Sequence, residues 1–276
     1  IFFLFISIIF KTAYYNQNND HINWHHTLLN NGKVIKINSE TCCDTGDQQL
    51  SETNSPDNTL VGNLYYFDNI SQEVILICPS FSDNITYHQN IILNIYKLGY
   101  KIYIFNYPGF GNNKNIIKNE QNILNYSNLV LQYIIKIHPK LYINLLGIQF
   151  GAVIASYLVT EHKLQKLILL NPVISAKNYV TNIYPFLKYI NFIFYEYNIT
   201  KYLKQKQQHS NPTTQSKYLK ILSIFYTNNP KSKNQIYHKV KILTQCNSNI
   251  FNYYIKNEDN LDYSLFRKFI NEKLNN

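Results

Sequence analysis

The sequence contains no methionine and begins at Ile1, so it has no initiator methionine. We therefore expect it to be a fragment or a processed product of a longer chain. Ile, Asn, Lys and Tyr are abundant, which is typical of a codon-biased genome and makes the Asn content and the net charge weak indicators of function. The hydrophobic fraction of 45% nevertheless excludes a disordered chain, and 276 residues are enough for one large core.

Arginine is almost absent, because Arg267 is the only one in a Lys+Arg total of 26. The formal net charge of +10 would otherwise fit a nucleic acid or an anionic membrane surface as a partner. Base reading and bidentate phosphate binding mostly use the guanidinium group, whose paired donors lysine lacks. The scarcity of arginine therefore argues against a nucleic-acid partner.

Cysteine is also scarce, with Cys42, Cys43, Cys78 and Cys246 as the four examples. Their spacing fits no C-x-x-C pair and no Cys/His zinc site. The sequence also lacks a G-x-G-x-x-G dinucleotide fingerprint and a P-loop. We therefore predict neither a metal nor a cofactor.

The first ten residues, Ile1 to Phe10, are wholly apolar and are followed by Lys11. Ten residues cannot span a bilayer, so we interpret residues 1–11 as the remnant of a signal peptide or a membrane anchor. A buried first strand is the alternative. The first interpretation predicts membrane association or the secretory pathway, and the second leaves a cytoplasmic protein.

Residues 12–58 are polar and irregular, and only Val34 to Ile37 is strand-like. From residue 59 onward, short apolar runs alternate with segments of helical period. We predict strands at Leu60 to Phe67, Glu73 to Pro79, Tyr100 to Asn106, Leu141 to Gly147 and Leu164 to Leu170. The predicted helices are His88 to Leu98, Glu120 to Ile137 and Phe150 to His162.

This alternation predicts an α/β domain over residues 59–276, with a mostly parallel sheet and helices on both faces. The pattern weakens beyond Pro172, and we predict an insertion at about 172–245. A final apolar run from Ile250 to Ile255 precedes a polar segment and a helical pattern that begins near Tyr263.

The run Gly147-Ile148-Gln149-Phe150-Gly151 follows one predicted strand and opens a predicted helix. Serine hydrolases of one large fold family place a G-x-S-x-G nucleophile elbow at this point of the chain. Glycines flank the elbow because its central residue lies in a strained turn, where the helix and a neighbouring strand approach closely. Two glycines four residues apart also occur in ordinary helix packing, so the motif alone is weak.

Two further segments occur in the order that the same family requires. The segment from Cys78 to Asn84 resembles its oxyanion loop, and the segment from Asn106 to Asn113 resembles its Y-x-G-x-G-x-S turn. Leu169 to Leu187 is similar to the stretch that follows in membrane-anchored α/β-hydrolase-domain serine hydrolases. The chain thus resembles the α/β-hydrolase superfamily well over about residues 60 to 190 and weakly over 250 to 262.

The resemblance assigns catalytic positions that this chain fills only in part. Gln149 occupies the nucleophile position, and a carboxamide supplies no nucleophile. Asp259 matches the acid position, although a carboxylate at a helix N-terminus is an equally good interpretation. The base is missing, because the family's histidine follows the acid and the last histidine here is His238. We therefore expect the family's C-terminal strand and helix to be missing.

The resemblance also implies an oxyanion hole made of backbone amides, with donors at Phe150 and at Phe81 or Ser82. Such a hole does not depend on the nucleophile, so binding would outlast catalysis. Ser80 and Ser82 are the hydroxyls nearest to this loop and are the candidates for a substitute nucleophile. His88 and His138 fit packing positions on helices better than a catalytic role.

Three functions are consistent with these residues. The first is a catalytically degenerate hydrolase-fold protein that binds a small acyl or lipid ligand and associates with a membrane through its N-terminus. The second is an active ester, thioester or lipid acyl hydrolase whose sequence is incomplete or altered. The third is a scaffold that contacts a partner through the Tyr-rich residues 184 to 202. The residues as printed favour the first.

Overall fold

The sequence pattern folds into one mixed sheet covered by helices on both faces. The computed structural model describes residue 28 and residues 32–37, 62–80, 85–108, 110, 120–162, 164–175, 198–209, 219–227, 232–246, 249–256 and 260–272. Its strands are β1 (Gly32–Ile37), β2 (Gly62–Phe67), β3 (Glu73–Cys78), β4 (Lys101–Phe105), β5 (Tyr142–Ile148), β6 (Lys166–Leu170), β7 (Lys220–Tyr226) and β8 (Ile250–Ile255). Its helices are α1 (Gln89–Lys97), α2 (Glu120–Ile137), α3 (Gly151–Glu161), α4 (Ile199–His209), α5 (Ser232–Cys246) and α6 (Ser264–Asn271), with a 3₁₀ turn at Ile85–His88 before α1.

The eight strands lie in the order β1-β2-β4-β3-β5-β6-β7-β8. β2 is antiparallel to both of its neighbours, and the strands from β4 to β8 are parallel to one another. The register places Cys78 opposite Gly147 and Ile148 opposite Leu170. The carboxyl ends of the parallel strands therefore share one edge of the sheet, where α/β proteins gather their functional loops.

Alternating side chains along each central strand enter two separate cores. In β3, Val74 and Leu76 belong to the core beneath α2, α3, α4 and α5, whereas Ile75 and Ile77 belong to the core beneath α1 and α6. This two-sided burial explains why the central strands are continuous apolar runs rather than alternating ones. The predicted mostly parallel α/β sheet with helices on both faces is confirmed.

Most element boundaries match the sequence predictions within one or two residues, but one strand of the sheet was not predicted. β7 lies inside the segment that we interpreted as an insertion, between α4 and α5. Its sequence, KILSIFY, is as apolar as the other strands, yet Lys- and Gln-rich residues precede it and conceal the pattern. The segment thus contributes a core strand, while its status as a separate insertion stays a prediction.

Residues 1–27, which include the predicted signal or anchor remnant, lie outside the described residues. Within the part of the chain that the structure describes, no helix combines the length and the apolarity needed to cross a membrane.

Candidate functional site

Gln149 occupies the turn that joins β5 to α3. β5 ends at Ile148 and α3 begins at Gly151, so the prediction that Gln149 lies at the tip of a strand-to-helix turn is confirmed. Its backbone φ of 50° lies in the left-handed region, which residues with a side chain rarely adopt. Backbone strain of this kind is held only where surrounding structure fixes it, and it clusters at functional sites.

Three backbone hydrogen bonds fix this conformation. The N–H of Gln149 donates to the carbonyl of Leu170 over 2.9 Å. The carbonyl of Gln149 accepts from the N–H of Val173 at 3.1 Å and from that of Ala152 at 3.2 Å. The turn is therefore bonded both to the end of β6 and to the first turn of α3, and it presents the half-buried Gln149 side chain at the carboxyl edge.

The two flanking glycines are required by close backbone contacts. A Cβ atom on Gly151 would lie 2.0 Å from the carbonyl oxygen of Cys78 and 2.3 Å from that of Pro79. A Cβ atom on Gly147 would lie 2.5 Å from the Cα of Ala152. Neither space admits a side chain, because the nearest atoms are backbone. The glycine spacing is thus explained by the elbow geometry rather than by ordinary helix packing.

A second left-handed residue, Asn171, follows the neighbouring strand β6. Its φ is 45°, and its N–H donates to the carbonyl of Ile224 at 2.7 Å. Asn tolerates this conformation better than most residues because its short side chain bonds locally. The sequence analysis did not identify this residue. Two adjacent strands therefore end in strained residues that both carry a carboxamide.

The carboxyl edge carries little ionisable chemistry in its described part. The residues that directly follow the parallel strands are Pro79, Asn106, Gln149, Asn171, Thr227 and Lys256. None is an acid or a histidine. Asn106 is 3% exposed, and its Oδ1 atom has no hydrogen-bond partner among the described residues. The described part of the site therefore offers mainly neutral amide and hydroxyl groups, which suit hydrogen bonding rather than proton transfer.

Ser80 and His88 form a buried pair beside the elbow. The Oγ atom of Ser80 lies 3.2 Å from Nε2 of His88, and the two residues are 6% and 7% exposed. Ser80 directly follows Pro79, whose carbonyl abuts Gly151, so the pair lies on the side of the elbow that faces β3. The sequence offered no signal for this contact beyond the expectation that His88 packs.

Burial lowers the pKa of the His88 imidazole to about 4, so the ring is neutral at physiological pH. A neutral ring accepts from the Ser80 hydroxyl or donates to it, according to which ring nitrogen carries the proton. No carboxylate among the described residues bonds to His88, and the burial of Ser80 keeps substrates from its oxygen. The geometry is that of a satisfied internal hydrogen bond rather than a working nucleophile and base.

Two other histidines bond elsewhere. His138 lies 2.8 Å from the hydroxyl of Tyr103, and His162 bonds to the side-chain oxygen of Asn128 at 2.5 Å. His138 and His162 thus serve packing and helix contacts, as expected for His138. In the part of the chain that the structure describes, no histidine bonds to Gln149.

The structure describes one of the four remaining predicted site residues. Phe150 is buried and is the N-cap of α3, which fits a backbone donor beside the elbow, although that role stays a prediction. Phe81, Ser82 and Asp259 lie outside the described residues. Asp259 follows β8, which is parallel to β7, so the end of its strand shares the sheet edge with Gln149. Its role as the acid stays a prediction.

The described residues contain no group of three or more His, Cys, Asp or Glu side chains that could hold a metal ion.

Comparison with known proteins gives a consistent fold assignment. The family model described as serine aminopeptidase, S33, matches residues 70–240. Among solved structures, an α/β hydrolase from Vibrio vulnificus has a TM-score of 0.64 at 14% identity, covering 97% of this chain and 92% of that one. An esterase from Pyrococcus furiosus has a TM-score of 0.58 at 14% identity, covering 88% of each chain. No curated protein matches the sequence.

We expect Gln149→Gly to stabilise the chain by about 0.5–1 kcal/mol, because glycine adopts a positive φ without the strain of a side chain. The matched control is Gln72→Gly, at an exposed position whose φ is not positive. That change should destabilise the chain by about 0.5–1 kcal/mol, because glycine increases the entropy of the unfolded state. Urea unfolding measures both. Equal destabilisation by the two changes would contradict a strained turn.

We expect acid to destabilise the fold through His88. The folded pKa of about 4 lies below the ordinary 6.5, so the unfolded chain binds the proton first as the pH falls. The contribution of neutral His88 is fully present above pH 6.5 and is lost progressively down to pH 4, for a total of about 3 kcal/mol. His88→Gln retains a polar partner for Ser80 and does not titrate.

The unaltered chain and the His88→Gln variant should therefore differ in the slope of unfolding free energy against pH between pH 6.5 and pH 4. Chemical unfolding at several pH values across that range measures the slope. Burial also lowers the pKa values of His138 and His162, but both chains share these contributions. Identical slopes would show that His88 is not held neutral.

Proposed function

The chain belongs to the serine aminopeptidase S33 family of α/β hydrolases, whose model matches residues 70–240, and we propose that it is a degenerate member that binds a ligand without hydrolysing it. One observation carries this proposal. Gln149 occupies the strained turn between β5 and α3 where the family's fold presents its nucleophile. The turn is retained, whereas the hydroxyl that would attack an acyl carbon is absent.

The groups around the turn support the same conclusion. A nucleophile in this fold is activated by a histidine, and in the described part of the chain no histidine bonds to Gln149. Residues that act together in catalysis are not additive, and loss of either the nucleophile or the base removes most of the rate. With the nucleophile absent, a surviving oxyanion hole supplies roughly 10³- to 10⁴-fold over water.

The ligand class that fits the proposal is a small acyl compound or a lipid. In this fold the backbone N–H of the residue after the nucleophile faces the acyl carbonyl. Phe150 holds that position here, as the buried N-cap of α3 beside the strained turn at Gln149. Gln149 adds a carboxamide that donates and accepts hydrogen bonds where a serine would react. A carbonyl or carboxylate oxygen is the ligand group that these donors match.

We further propose that the protein resembles the membrane-anchored α/β-hydrolase-domain serine hydrolases in its attachment as well. The apolar run from Ile1 to Phe10 and the net charge of +10 support association with an anionic membrane surface.

An active hydrolase is the alternative, and the contact between Ser80 and His88 is the observation in its favour. We expect the unaltered chain to give no turnover of para-nitrophenyl butyrate and no labelling by a fluorophosphonate probe. Gln149→Ser should also remain inactive, because none of the described histidines bonds to this position and a serine without a base stays protonated. Turnover by the unaltered chain that Ser80→Ala or Ser82→Ala abolishes would demonstrate a substitute nucleophile and overturn the degenerate interpretation.

Binding is tested separately from turnover. We expect dodecanoate or methyl dodecanoate to bind the unaltered chain in calorimetric titration and to be recovered unchanged. Gln149→Trp should abolish binding, because the indole fills the space beside the elbow. Gln132→Trp makes the same exchange at an exposed position of α2, away from the elbow, and should leave binding unchanged. Failure of either ligand to bind, or equal loss in both variants, would contradict an acyl site at Gln149.

A further inference from the structure

A cavity of about 820 Å³ lies at the amino edge of the sheet, away from Gln149. Glu73, Tyr142 and Lys166, the first residues of β3, β5 and β6, line it. Since β5 has seven residues, this edge lies about 20 Å from the turn at Gln149. Cavities of a few hundred Å³ with apolar walls and a few fixed polar groups are the usual form of small-molecule sites. The cavity is therefore independent of the hydrolase-like site.

Aliphatic side chains form one part of its wall. Ile135 comes from the last turns of α2, Leu141 and Ile143 from the start of β5, and Leu164 from the chain just before β6. Ile135 is 37% exposed, although it is a large apolar residue. An apolar ligand part in contact with these residues would remove apolar surface from water.

Hydrogen bonds within the fold hold the side-chain amide of Asn144 at the cavity wall. Asn144 is 2% exposed, and its Nδ2 atom donates to Oε2 of Glu73 over 2.7 Å. The same nitrogen lies 3.4 Å from the carbonyl of Val74. Two partners thus orient a buried amide, and the amide in turn orients the half-buried Glu73 carboxylate at the cavity wall.

The other charged groups at this edge are engaged with partners of their own. The Nζ atom of Lys166 donates to the carbonyl of Ile270 at the end of α6. The Nζ atom of Lys220 lies 3.4 Å from Oε2 of Glu272. Among the described residues, Glu73 makes no ion pair. Burial raises the pKa of Glu73, and the hydrogen bond from Asn144 and the charge of Lys166 offset that effect only in part. The charge of Lys166 acts on Glu73 without a direct ion pair between them, so the Glu73 carboxylate can still accept hydrogen bonds from a ligand.

We propose that this cavity binds a small organic cation, a protonated primary amine that carries a short apolar chain. The ammonium group would donate to Glu73, and the chain would lie against Ile135, Ile143 and Leu164. A charge-assisted hydrogen bond to a partly buried carboxylate is stronger than one between neutral groups, which gives the cavity its preference for a cation. This site and its ligand lie beyond the proposed acyl-binding function.

The test uses the full chain and n-hexylamine, with hexan-1-ol and hexanoate as ligands of the same length. Calorimetric titration to about 10 mM ligand should detect hexylammonium binding. We expect hexan-1-ol to bind at least about tenfold more weakly. Hexanoate should not bind in this cavity, so Leu164→Trp should leave any hexanoate binding at the Gln149 site unchanged. The chain's net charge of +10 repels cations elsewhere, which keeps non-specific hexylammonium binding low. Equal binding of all three ligands, or no binding of the amine, would overturn the proposal.

Three variants locate the site. Glu73→Gln retains an acceptor for Asn144 and removes the charge, so the fold should persist while hexylammonium affinity falls at least about tenfold. Glu120→Gln is the matched control, because Glu120 bonds to the hydroxyl of Tyr202 at 2.7 Å and lies at the carboxyl-edge end of α2. Leu164→Trp fills the cavity without changing its charge and should abolish binding. An unchanged affinity in Glu73→Gln would place the amine elsewhere and refute the assignment.

Discussion

The approach of helix α3 to the end of β3 is the contact that fixes the geometry of the carboxyl edge. Gly151 lies against the carbonyl oxygens of Cys78 and Pro79, where a Cβ atom would be 2.0 Å from the nearest one. This proximity forces the chain to turn sharply after β5, and Gln149 takes a φ of 50° as a result. Backbone hydrogen bonds to Leu170 and Val173 then connect the turn to β6. Three strands and one helix are thus positioned by a contact that only glycine permits.

This backbone architecture does not depend on the catalytic chemistry that such a turn usually carries. The conformation of Gln149 is set by main-chain contacts, so a serine, a cysteine or a glutamine can occupy it with the same hydrogen bonds. Catalysis needs more, because a nucleophile works only with a base and its orienting partner in reach. A chain can therefore keep the strained turn, at a cost in stability, after the chemistry has changed. The ligand binding that we propose would make use of this strained turn, because a carboxamide both donates and accepts hydrogen bonds.

The two edges of the sheet differ in chemical character. The described carboxyl edge presents mainly amides and hydroxyls, and its histidine, His88, is neutral because it is buried. The amino edge carries Glu73, Lys166 and Lys220 in partly buried positions, where low polarity strengthens charge interactions, and the exposed Glu272 lies beside Lys220. Burial shifts the Glu73 and Lys166 pKa values in the directions that disfavour charge, upward for the acid and downward for the amine. Hydrogen bonds offset part of this cost, from Asn144 to Glu73 and from Lys166 to the carbonyl of Ile270.

The sequence by itself determined the elements whose side chains enter a core on both sides. β3, β4 and β5 are apolar runs between turn residues, α1, α2 and α3 have helical periodicity, and the two glycines around Gln149 identify the elbow, because burial and close packing restrict which residues can occur there. The sequence did not reveal β7, whose pattern is hidden by Lys- and Gln-rich neighbours, or the left-handed Asn171. The pairing of Ser80 with His88 and of Glu73 with Asn144, 71 residues apart, was decided only by the tertiary structure. A polar residue in an isolated sequence carries no record of its partner, since its hydrogen bond depends on which strands and helices become neighbours when the chain folds.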